Sequence, residues 1–140
     1  MSEDKYTLKV NADIKNLGEA KDFVQEKLGL TDCSEKNKMS ICLSVEEIFM
    51  NVCSYAYAPE LGDVILEVSF NKTKDVVYIT IVDMGVPYNP LKRDKLDIEN
   101  HVKKRQVGGL GIFMTQKIMD NMTYEYTNHE NRLTLEKSLK

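Results

Sequence analysis

Ser34-Glu-Lys-Asn-Lys-Met-Ser-Ile-Cys-Leu-Ser-Val-Glu-Glu-Ile-Phe-Met-Asn-Val-Cys-Ser-Tyr-Ala-Tyr57 is the longest periodic stretch of the chain. Cys42, Val45, Phe49, Val52 and Ala56 recur at three- and four-residue steps. That spacing predicts an amphipathic helix from about Ser34 to Tyr57 with one core-facing stripe. Ser34 or Asp32 can cap its start, and Pro59 forbids much continuation. Upstream, Tyr6, Leu8 and Val10 alternate with Thr7 and Lys9 as in a half-buried strand. Leu17, Ala20, Val24 and Leu28 then share a helical face that Gly29 is placed to end. Downstream, Val64–Phe70 and Val77–Ile81 alternate around the turn Asn71–Asp75, which predicts an antiparallel hairpin. Helical spacing returns after Gly108, and a second hairpin, Met122–Asn128 with Arg132–Leu139, ends the pattern. Paired hairpins need a cover for their apolar face. The expected fold is therefore an α/β two-layer sandwich: a mixed, mostly antiparallel sheet covered on one face by helices.

Between the hairpins, Met84 to Val107 lacks periodicity and holds two of the 3 prolines with many charges. Loops of that length are usually functional. Residues from about 91 to 107 are expected to form a lid.

The 140 residues match the usual size of one domain, so 1–140 is expected to be a single unit. A net charge of -3 and a pI near 5.5 argue against a dedicated nucleic-acid binder. The compact basic cluster Lys103-Lys104-Arg105 is explained by a solvated loop. No run reaches the ~20 apolar residues a membrane span needs, and Met1–Tyr6 lacks a secretory h-region. Cys33, Cys42 and Cys53 are odd in number without CxxC spacing, and only His101 and His129 could join them. A Cys/His metal site is not expected, and the cytoplasm is the natural compartment.

Three short motifs carry chemistry. Glu47 and Asn51 lie four apart, so both project from one helix face. Such a pair is ordinarily a solvated face. Directed into a cleft, the amide can ligate a hard cation that touches phosphate, and the carboxylate can accept a proton from a hydroxyl. Asp83-Met-Gly85 follows a strand; it can be a simple turn, or an acidic acceptor for a purine amine beside a glycine that admits close approach. Gly108-Gly109-Leu110-Gly111 opens a helix, where free N–H groups at the positive dipole end suit phosphates. No Gly-Lys-Ser/Thr follows, so this is not a phosphate-loop lysine motif.

Taken together, Glu47…Asn51, Asp83-Met-Gly85 and Gly109-Leu-Gly111 resemble, in order, the N box and two glycine boxes of one nucleotide-binding superfamily. Its members include gyrase, the large heat-shock chaperone, histidine kinases and MutL. Within it, Leu43–Asn51, Asp83–Pro90 and Gly108–Met114 are most similar to the anti-sigma factor serine-protein kinases. The resemblance implies ATP and Mg²⁺ as cofactors, Glu47 as general base and Asn51 as the metal ligand. It implies that Asp83 contacts the adenine amine, with Gly85 near the ring. Gly108, Gly109, Leu110 and Gly111 would face the phosphates, and Thr134 would sit near adenine through water. The implied partners are an antagonist (anti-anti-sigma) protein phosphorylated on serine and a sigma factor that is sequestered, with a homodimer common among relatives. The sequence departs from many of these kinases at Tyr55, where His is frequent, at Tyr88 and Asn89, and in the turn His129–Arg132, which lacks a glycine. Other readings are an ATP-loaded binding switch without efficient phosphotransfer and a detached histidine-kinase-type catalytic domain.

Overall fold

The computed structural model describes residues 5–57, 62–92 and 109–140. Strand β1 (Lys5–Asn11) leads through a short 3-10 turn to helix α1 (Leu17–Leu28) and the long helix α2 (Glu35–Tyr55). Strands β2 (Asp63–Phe70) and β3 (Val76–Asp83), helix α3 (Gly109–Ile118), and strands β4 (Asn121–Thr127) and β5 (Glu130–Ser138) follow. The five strands form one sheet in the order β1-β2-β3-β5-β4, and every pair is antiparallel. The sheet expected as mixed therefore has no parallel pair among the described residues.

Period-two burial explains the layers. Val64, Leu66, Val68 and Phe70 of β2, Val77, Ile79 and Ile81 of β3, and Leu133 and Leu135 of β5 are buried. They share one face of the sheet, because alternate side chains point the same way. Onto it pack Ala20, Val24 and Leu28 of α1, Val45, Ile48, Phe49 and Val52 of α2, and Ile112 of α3. The opposite face carries half-buried polar residues, such as Glu67 and Arg132, whose charges meet at 2.8 Å.

Local chemistry fixes the ends. Ser34 caps α2, its side chain accepting from the Asn37 N–H at 3.1 Å. In the β2–β3 turn, Asn71 Oδ1 accepts from the N–H groups of Asp75 and Val76. The last hairpin turns at Asn128-His129, two residues earlier than the spacing suggested, with φ of 53° and 64°. Both central residues are left-handed, as a two-residue hairpin loop requires, and an asparagine adopts that region more readily than most residues. Asn128 thus takes the first loop position, where asparagine is favoured, and His129 stands at the second, where glycine is usual.

Candidate functional site

A cleft opens between α2, the inner ends of β3 and β5, and α3. Its walls include Ile48, Asn51, Val52, Ile81, Ile112 and Leu133, with Asp83, Tyr124 and Asn131 at its polar end. It holds about 460 Å³ of space between atoms, counted out to its open mouth. Tyr55 and Tyr88 stand at that mouth, their ring centroids 6.3 Å apart and their planes tilted by 37°. Tyr55, in the place of a frequent histidine, is therefore a partly exposed wall of the cleft rather than a group beneath it.

Asp83 ends β3 on the core-facing side, one of 4 buried polar residues among those described. Its Oδ1 accepts from the Gly85 N–H and from Asn131 Nδ2, each at 2.9 Å. Burial pushes its carboxyl above the ordinary range, and these two donors only partly offset that. A buried carboxylate with one oxygen engaged keeps the other as an acceptor.

Asn131 is a functional candidate that the motifs missed. The antiparallel register sets it opposite Asp83. Besides Asp83, its Nδ2 donates to the Val86 carbonyl at 2.9 Å. Its Oδ1 accepts from the Tyr88 N–H at 3.1 Å and from the Tyr124 hydroxyl. One signal could have found it: a buried asparagine inside a strand is uncommon unless fully bonded.

Thr134, expected near the base, is not brought to the site. It alternates with Leu133 and Leu135, so it faces away from the helices, with its Oγ1 2.9 Å from Thr80 Oγ1. An offset of three residues from Asn131 is odd, and an odd offset changes the face. The position that faces Asp83 across the strands belongs to Asn131.

Gly85 lies against the end of α2: a Cβ there would stand 2.3 Å from the Ala56 carbonyl oxygen and 2.7 Å from its carbon. The glycine lets the Asp83–Tyr88 loop lie directly on the end of α2. Two hydrogen bonds hold it down: Val86 N–H to the Ala56 carbonyl at 3.3 Å and Met84 N–H to the Tyr57 hydroxyl at 2.6 Å. Tyr57 donates in turn to the Asp63 carbonyl at 2.7 Å, tying the loop to β2.

Glu47 and Asn51, one turn apart on α2, are both half-buried. Asn51 lines the cleft. Glu47 lies against the start of α3, where a Cβ on Gly111 would fall 2.0 Å from Glu47 Oε2. Gly111 therefore lets the carboxylate and the first turn of α3 share one space. Gly109 begins α3, so its helix N-terminus adjoins the Glu47 and Asn51 turn. The expected lid residues 93–107, Gly108 and the Leu110 side chain lie outside the described residues; Leu91 and Lys92 complete a 3-10 turn from Pro90.

The residues suit a magnesium-bound polyphosphate. Among the described residues no group of three or more His, Cys, Asp or Glu side chains is gathered to hold a metal ion alone. Mg²⁺ needs no such cage, because it takes one or two protein oxygens and completes its shell with phosphates and water. Asn51 supplies an oxygen of the required hardness.

Similarity to known proteins agrees with this geometry. Residues 10–137 match the histidine kinase-like ATPase domain. The serine/threonine-protein kinase BtrW of Bordetella bronchiseptica is 24% identical over 102 residues, 73% of this chain and 71% of that protein. The fold resembles the RsbU and RsbW domains of Rv1364c from Mycobacterium tuberculosis, with a TM-score of 0.69 and 13% identity, over 97% of this chain and 32% of that one. It also resembles the histidine kinase domain of a blue-light-activated kinase from Erythrobacter litoralis, with a TM-score of 0.57 and 14% identity, over 90% of this chain and 60% of that one. The chain thus spans about a third and three fifths of those two structures. With its sheet order, its cleft and nearly all its length accounted for, the chain belongs to the histidine kinase-like ATPase domain family.

Proposed function

We propose that this chain is a Mg²⁺-ATP-dependent serine kinase that phosphorylates an antagonist protein and also sequesters a sigma factor. The observation that carries the reading is the shared cleft. A buried acceptor, Asp83, closes one end, and Asn51 and Glu47 stand on one helix beside the N-terminus of α3. The name of the BtrW relative, a serine/threonine-protein kinase, supports the choice of acceptor.

In this reading Asp83 accepts a hydrogen bond from the adenine amine, and the apolar walls Ile48, Ile81 and Leu133 cover the ring. Asn51 would hold Mg²⁺, which neutralises phosphate charge when bound. The N–H groups of α3's first turn lack intrahelical partners and face an anion favourably. Glu47 takes the proton of the incoming serine hydroxyl. The serine oxygen bonds to the γ-phosphorus while the bond from that phosphorus to the β,γ-bridging oxygen breaks, so ADP leaves. Residues 1–140 act as one domain. The three free thiols support a cytoplasmic setting.

The test is phosphotransfer from labelled ATP to a candidate antagonist by wild type, Glu47→Gln and Asn51→Ala, with ATP binding measured in parallel. Glu47→Gln should lose about 10²–10⁴-fold in rate with little change in affinity. Asn51→Ala should weaken Mg²⁺-ATP binding and transfer together. Transfer by Glu47→Gln at the wild-type rate would remove Glu47 as base. Wild-type binding of ATP without transfer to any cognate partner would leave an ATP-loaded switch.

A further inference from the structure

The two amide ends of Asn131 face partners of opposite kind. The Tyr88 N–H can only donate, so the Asn131 atom 3.1 Å from it is the carbonyl oxygen. The amide nitrogen then necessarily faces Asp83 Oδ1 and the Val86 carbonyl, both acceptors at 2.9 Å. The orientation of this side chain is thus fixed by its surroundings, and Tyr124 adds a second donor on the oxygen side. Every donor hydrogen in the cluster is spent: those of Asn131 go to Asp83 and Val86, and that of Tyr124 goes to Asn131. Among the described residues both donors reaching Asp83 end on Oδ1. The polar end of the cleft therefore offers acceptors and withholds donors.

We propose that Asn131, oriented by Tyr124, is a positioning residue that holds Asp83 to read an exocyclic amine and makes the cleft select 6-aminopurines. A base carrying a 6-oxo group would place acceptor against acceptor, and a base with no substituent would leave Asp83 unpaired. The inference rests on the nucleotide reading above, but it assigns base selection to residues outside the three motifs.

The test compares binding of ATP with that of purine riboside triphosphate, which lacks only the 6-amino group, by calorimetry with Mg²⁺. Leaving a buried acceptor without its donor should weaken binding about 5- to 100-fold, so wild type should prefer ATP by that ratio. Asn131→Ala should cut the preference for ATP over purine riboside triphosphate to within about threefold, and Tyr124→Phe should cut that ratio less. Thermal melts accompany both variants, and Tyr124→Phe keeps the test alive if Asn131→Ala does not fold. A merely structural role would weaken both nucleotides equally, with the wild-type ratio kept, and that result overturns the proposal. So does a wild type that binds both nucleotides alike. A wild type that binds neither nucleotide defeats the underlying nucleotide reading, a failure visible before any variant is compared.

Discussion

Replacing Gly85 by alanine puts a methyl carbon 2.3 Å from the Ala56 carbonyl oxygen, 2.7 Å from its carbon and 2.8 Å from the Ala56 Cβ. Two of those atoms are backbone at the end of α2, so no rotamer change can relieve the contact. The loop must lift by roughly an ångström to restore ordinary van der Waals separation, which strains the 3.3 Å bond from Val86 N–H to Ala56. Overpacking of this kind costs about 1–3 kcal/mol, and losing the hydrogen bond adds about 1 more. For 140 residues the unfolding entropy near the melting point is about 0.3 kcal/mol/K, so each kcal/mol moves Tm by about 3 °C. Gly85→Ala should therefore melt about 6–12 °C lower than wild type. Adenine-nucleotide affinity should fall as well, because Asp83 is two residues away and accepts from the Gly85 N–H. Gly18→Ala is the internal control: nothing stands within 4 Å of a Cβ there. Its position in the first turn of α1 should make alanine neutral or stabilising by up to about 1 kcal/mol. Circular dichroism melts and calorimetry read both variants. A Gly85→Ala protein with wild-type Tm and wild-type affinity would refute the close-approach argument.

Asp83→Asn should separate stability from function. Both native donors reach Oδ1, which an amide oxygen can replace, while the buried charge disappears. Because burial holds the folded carboxyl above 3.8, protonated Asp83 contributes stability that is complete below 3.8 and lost as pH rises through the folded value. The variant should therefore melt level with wild type near pH 4 and above it at pH 7, yet bind ATP more weakly. Melting curves that run parallel from pH 4 to 7 would contradict the raised carboxyl. Gly111→Ala should keep or raise Tm, since alanine favours a helix by up to about 1 kcal/mol and the atom it meets is the end of the flexible Glu47 side chain. Phosphotransfer should nevertheless fall toward the Glu47→Gln rate as the carboxylate is displaced; an unchanged rate would show that Glu47's place beside α3 is unimportant.

Much of this arrangement was legible before the structure. The stripe Val45, Phe49, Val52 marked α2 because burial on a helix repeats at 3.6 residues, and the alternation of Val64–Phe70 and Val77–Ile81 marked the central hairpin. Sequence spacing could also place Glu47 and Asn51 on one face. What it could not supply was register across the sheet. Whether Asn131 or Thr134 faces Asp83 depends on where the last hairpin turns, and His129 took the left-handed position usually given to glycine. Gly85 posed a different problem: its φ is not the cause, and the carbonyl of Ala56 that requires it is 29 positions away in the chain. Contacts of that range have no local signature.

Titrating ATP into the purified protein in a calorimeter, with and without Mg²⁺, shows whether the Asp83–Asn51 cleft holds Mg²⁺-ATP. Saturable binding of one ATP per chain, strengthened by Mg²⁺ and weakened by Asp83→Asn, is the expected result. No heat of binding for ATP or ADP with Mg²⁺ present, or an Asp83→Asn titration that overlays the wild type, would contradict it.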